Sequence, residues 1–232
     1  MKKLTEKKRI IIIVLVILLG LCSIKALDLL SYNYVKAKAV HYLCDKYDAD
    51  KEEFELVDYL HSGFHEKPKG EWVDFINWHD FSFEFKYKDK DFFVNRFDGK
   101  FYDDYQIEDI ETWCTDWLKQ NVDKRIDSFT IETEDIVRYL NNTGKGNQYV
   151  FSSSDAKDFI TKCVLDSENP KSIYIFYNEK AEKVSGVYGE VKPKMDDVFD
   201  IDSTPFLSMT SHSGGKWELS RYVGGPWEKY YF

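Results

Sequence analysis

The sequence predicts an α+β protein in which antiparallel sheet is packed by amphipathic helices, preceded by one apolar helix at the N-terminus. Three observations predict it. Residues 10–24 read IIIIVLVILLGLCSI, without a charge. Phe81, Phe83, Phe85 and Tyr87 alternate with Ser82, Glu84, Lys86 and Lys88, the period-2 pattern of a half-buried strand. Ile107, Ile110, Trp113, Cys114, Trp117 and Leu118 recur at helical spacing.

The apolar run comes first. Lys2, Lys3, Lys7, Lys8 and Arg9 precede it. Fifteen helical residues rise only ~22 Å against a ~30 Å hydrocarbon core. Continuing to Leu30 supplies the length and brings in Lys25 and Asp28, which an interface tolerates better than the midplane. The expectation is an uncleaved signal anchor: residues 1–30 as cytoplasmic tail and transmembrane segment, the lipid bilayer as partner through residues 10–30. The basic flank then places the N-terminus inside and the body outside, a single-pass plasma-membrane protein. A cleaved signal peptide and a lipoprotein cut before Cys22 are the rivals. Ile24-Lys25-Ala26 is a mediocre cleavage site, and Leu21 stands where a lipobox carries a small residue.

The body follows. Val35, Ala39, Val40, Leu43, Cys44 and Tyr47 define a helix with Ser31 as its N-cap. Phe54 to Leu60 reads as a strand, His61 to Gly70 as a loop, and Trp72 to Trp78 as a second strand. The alternating strand at Phe81 leads through Lys88-Asp89-Lys90 to a strand at Phe92–Phe97, and Asp98-Gly99 is a turn. The helix from Ile107, with acids in its first turn, closes a unit over residues 31–122. Residues 123–232 read as a second α+β unit or an extension of the first sheet. Its elements are a strand at Ile126–Ile131, a helix from Thr133, and a helix capped by Ser153 or Ser154. Strands follow at Ile173–Tyr177, Lys183–Val191, Pro205–Thr210 and Trp217–Val223.

The stretch Tyr42-Leu43-Cys44-Asp45-Lys46-Tyr47, then Phe54-Glu55-Leu56-Val57, then Phe92 through Asp98-Gly99-Lys100 and Asp103-Asp104-Tyr105, resembles small exported domains of Gram-positive bacteria. Those domains are membrane-anchored or lipidated and cystatin-like in shape. The resemblance covers residues 35–120 and departs at Asp104, where the pattern carries Asn. It implies topology and compartment, and no catalytic residues.

Composition narrows the function. The net charge of −9 divides into +4 over residues 1–30 and −13 beyond. An acidic body repels phosphate backbones, so nucleic acid is not an expected partner. Cys22, Cys44, Cys114 and Cys163 show no CxxC spacing, and the body cysteines read as buried thiols. His61 and His65 are four apart, but Gly63 and Pro68 place them in a loop where that spacing has no ligand geometry. His79 and Asp80 are adjacent on a strand and point to opposite sides, which does not build a catalytic triad. Asp196, Asp197, Asp200 and Asp202 lack EF-hand spacing. No catalytic, cofactor-binding or metal-binding residue is assigned, and no cofactor is expected.

All 39 aromatic residues lie at or after Tyr32. The C-terminal group Trp217, Tyr222, Trp227, Tyr230 and Tyr231 reads either as edge-strand core or as a recognition patch. The expected role is that of a membrane-anchored, extracytoplasmic, non-enzymatic protein-binding or assembly module with an envelope protein as partner. The alternative is an envelope hydrolase or transferase with dispersed acid and base groups.

Overall fold

Helix α1 runs unbroken from Glu6 to Tyr47. The computed structural model describes residues 6–64, 79–97, 99–165, 173–176, 184–199, 207–212 and 216–221. The chain divides into two units, Met1–Phe101 and Tyr102–Phe232.

In the first unit α1 is followed by four antiparallel strands. These are β1 (Glu55–Phe64), β2 (His79–Tyr87), β3 (Lys90–Phe97) and β4 (Lys100–Asp103), arranged in that order, with the division between the units falling inside β4 after Phe101. The C-terminal half of α1 supplies the core. Ser31, Val35, Ala39, Leu43 and Lys46 are buried at three- or four-residue spacing, one stripe of a 3.6-residue helix. They face the apolar row of β2, where Phe83 and Phe85 are completely buried and Phe81 and Tyr87 nearly so. The rings form a chain: Phe81 to Phe83 at 5.7 Å, Phe83 to Phe85 at 6.1 Å, Phe85 to Phe92 at 6.3 Å. Phe54 closes its end at 4.6 Å from Tyr87, and Tyr32 its other end, 5.7 Å from Phe81.

Among the described residues no helix is long and apolar enough to cross a membrane. This overturns the transmembrane anchor over residues 10–30, and with it the single-pass plasma-membrane placement. The charge-free run is only 15 residues long, and the stretch that would lengthen it carries Lys25 and Asp28. It then merges into the core helix of the first unit. Ser31, expected to cap a new helix, is instead 1% exposed in the middle of this one.

Two details of the sheet differ from the sequence expectation. His61–Phe64 belong to β1 and not to a loop, with an irregularity in register between His61 and Phe64 that accommodates Gly63. The fourth strand is β4; the stretch Trp72–Trp78 lies outside the described residues. The β2–β3 hairpin turns on Lys88 (φ 50°) and Asp89 (φ 62°), both left-handed as a two-residue turn with matching twist demands. Non-glycine residues are strained there, so Asp89→Gly is expected to stabilise the unit by about 0.5–1 kcal/mol. A urea midpoint unchanged or lowered would contradict that turn geometry.

The second unit contains α2 (Ile107–Asn121), β5 (Ile126–Phe129), α3 (Thr133–Thr143), α4 (Ala156–Ile160), β6 (Ile173–Phe176), α5 (Val184–Phe199), β7 (Leu207–His212) and β8 (Lys216–Arg221). Its antiparallel strands lie in the order β5-β6-β8-β7. Helix α2 packs against β5 and α4, so it belongs here and not to the first sheet. Its buried face is Ile110, Cys114, Thr115 and Leu118. Two of its side chains also bond β5 and the residues just after it: Thr115 Oγ1 accepts the Phe129 N–H at 3.0 Å, and Glu111 accepts the Ile131 N–H at 2.9 Å. These bonds occupy backbone donors beside an outer strand that would otherwise be left without partners.

Of the expected strand at Lys183–Val191, Val184 to Val191 are helical instead, within α5, and Lys183 lies outside the described residues. Val191 and Met195 are four residues apart and both fully buried. A helix puts them on one face, and that burial outweighs the strand preference of the β-branched residues. The caps shift as well. Glu132 stands before α3, its N–H donating to Asp135 at 2.8 Å, so Thr133 is already helical. Ser152, one residue before the expected pair, opens the 3-10 turn Ser153–Asp155 that leads into α4.

Candidate functional site

The stretch Ile11–Leu21 of α1 is apolar on every side. Ile11 to Leu19 and Leu21 are each 48–66% exposed. Leu29 and Leu30 continue this surface at 63%. The cause is local: strand-favouring Ile and Val alternate with Leu, no polar residue interrupts them, and no stripe is therefore marked for burial in the helix's own unit. On β1, an outer strand, Val57, Tyr59 and Leu60 are also exposed. Tyr32 links the two regions, its ring 4.6 Å from that of Tyr59. Apolar surface on this scale marks an interaction site.

Of the residues singled out at the C-terminus, Trp217 falls within the described residues. Trp217 lies on β8, opposite Ile175 of β6 and Ser211 of β7. Tyr222, Trp227, Tyr230 and Tyr231 lie outside the described residues. His61 is on β1, and His65 lies outside the described residues. Among the described residues no group of three or more His, Cys, Asp or Glu is placed to hold a metal ion. Cys44 is half-buried; Cys114 and Cys163 are buried free thiols.

The second unit holds a polar cluster that the sequence did not reveal. Lys145, in the loop after α3, donates to Asp155 at 2.9 Å and to the Tyr139 hydroxyl at 3.0 Å, with its ammonium 4.0 Å from the Tyr149 ring centre. Tyr139 donates to Asp158 at 2.8 Å, and Tyr149 to Asp155 at 2.7 Å. Burial drives the Tyr139 hydroxyl's pKa well upward. Burial would raise Asp155, but bonds from Tyr149, Lys145 and Ser152 bring it below the ordinary carboxylate value. Lys145 is held above its ordinary value, because those hydrogen bonds outweigh its partial burial. Each group is thus fixed more firmly in its resting protonation state, the reverse of what proton transfer near neutrality needs. Burial, reinforced by Glu111, likewise keeps Cys114 a thiol and not a nucleophilic thiolate.

A second network pins α5. Asp123, with a side chain 4% exposed, accepts from the Arg125 backbone N–H at 3.0 Å and from Arg125 Nε at 2.8 Å. Arg125 also reaches Glu190 at 2.8 Å, and Lys194 approaches Asp123 at 3.4 Å. Burial would raise Asp123, yet the bonds from Arg125 and the charge of Lys194 lower its pKa to about 2. These partners are separated by up to 71 positions in the chain, which no local pattern announces. No protein family, curated protein or solved structure matches this chain.

Proposed function

We propose that this protein is a non-enzymatic assembly module whose partners are further copies of the same chain, joined through the apolar stretch Ile11–Leu21 of α1. The single observation that carries the reading is the all-round exposure of Ile11 to Leu21. Ten large apolar side chains there, each about half exposed, offer roughly 900 Å² per copy, comparable with the ~800 Å² per partner of a standard interface. One neighbouring helix covers only one side of such a cylinder. A bundle of three or more helices buries it fully, as the all-round pattern requires. The protonation states in the Lys145 cluster support a structural role for that cluster and add nothing to an acid–base reading.

Light scattering of the full chain after size-exclusion chromatography tests this. The expected result is a trimer or larger species that Leu15→Lys together with Leu18→Glu reduces to monomer, with the far-UV spectrum kept. A monomer at micromolar concentration, or a monomer that floats with phosphatidylcholine vesicles, would overturn the proposal.

A further inference from the structure

Residues 144–152 join α3 to the turn before α4 without helix or strand of their own. The segment leaves α3 at Gly144, whose φ of 67° ends the helix in the left-handed region. Phe151 is its buried side chain, 4% exposed. The Phe151 ring lies 5.4 Å from Tyr139 and 5.6 Å from Phe159, above a bed that includes Ile110 and Cys114. The seam is closed, with no room for a water molecule between these side chains.

Strong anchors of the segment are made by side chains. Gln106, at the start of α2, holds the Phe151 backbone from both sides: its amide donates to the Phe151 carbonyl at 3.2 Å, and its carbonyl accepts the Phe151 N–H at 3.0 Å. Asp155 is the other anchor, accepting from Lys145, from Tyr149 and from the Ser152 N–H at 2.9 Å. The surrounding helices are held by backbone bonds within themselves and do not depend on these side-chain anchors.

We propose that residues 144–152 form a releasable strap, which withdraws Phe151 as a local unit and uncovers Cys114 and the apolar bed between α2 and α4 while the rest of the second unit stays folded. Cys163 provides an internal reference. It is equally buried, but it lies beyond α4, its thiol directed at the Asp135 carbonyl 3.9 Å away, and it is not among the residues lining the Phe151 seam.

The test is thiol labelling of the full chain with a maleimide over a urea series, read at each cysteine by peptide mass. The expected result is a Cys114 rate nearly independent of urea below the unfolding transition and at least about tenfold above that of Cys163. The Cys163 rate should rise with urea, as for global opening. Asp155→Asn should accelerate Cys114 about tenfold, the effect of about one charge-assisted hydrogen bond, and leave Cys163 unchanged. Should the two thiols share one rate and one urea dependence in the unsubstituted chain, the strap opens only with the whole unit and the proposal fails. Because that comparison needs no variant, it stands even if Asp155→Asn unfolds.

Discussion

Phe83→Ala is expected to destabilise the first unit by about 3–5 kcal/mol, the range for removing a fully buried ring without refilling the space. Phe83 is 0% exposed and sits midway along β2, opposite Tyr59 of β1 and Val94 of β3. Its ring lies between Phe81 and Phe85 and 6.0 Å from Tyr32, so deletion would break the aromatic chain at its centre. Neighbours on three elements hold the space open, and little collapse is available to recover the loss. Hydrogen exchange of the β2 amides in the full chain reads this unit directly. Exchange in Phe83→Ala should approach the rate for an unfolded strand, while Ser82→Ala, one residue away on the other face, should stay within about 0.5 kcal/mol of the parent. A cost below about 1 kcal/mol for Phe83→Ala would mean that this row is not the core.

Arg125→Met is expected to cost about 3 kcal/mol at pH 7, because it leaves Asp123 buried and ionised with Lys194 as its remaining cation. The pH dependence identifies the cause. In the parent, Asp123 titrates at about 2 when folded against about 3.8 when unfolded, so the folded state binds the proton less readily. Its contribution, about 2 kcal/mol, is therefore complete above pH 4 and is lost as the pH falls from about 4 toward 2. Without Arg125, burial raises the folded pKa, and protonation relieves the variant where it harms the parent. The gap between the two proteins should then narrow steadily below pH 4. Urea midpoints at pH 7, 4 and 2.5 would measure it, and a gap constant across that range would show that Arg125 acts through packing and not through Asp123.

Much of the secondary structure was legible where one periodicity dominated. Phe81 to Tyr87 is read as a strand because its apolar face alternates, and Ile107 to Asn121 as a helix because its apolar residues follow a 3.6-residue period. Both lie where those patterns put them. Residues 183–191 show why such reading fails elsewhere. Val184, Val187 and Val191 carry strand preference one by one, whereas the burial of Val191 with Met195 is satisfied by a helix. The N-terminal run shows a different limit: its apolar character was plain, but whether it ended at Leu30 or continued into the core depended on contacts with β2. The candidate site on α1 could be located from composition, and the Lys145 and Asp123 clusters could not.

By itself the sequence determined the α+β class, the acidic body, the aromatic row of β2 and the apolar run near the start, because each is a property of neighbouring residues or of totals. Tertiary structure alone decided that α1 continues through Ser31, that α2 joins the second unit, that Val184–Phe199 is helical, and that Gln106 holds Phe151 across 45 positions. Burial and hydrogen bonding reward proximity in space, and for these residues proximity is set by how the chain folds back on itself, with no trace in local spacing.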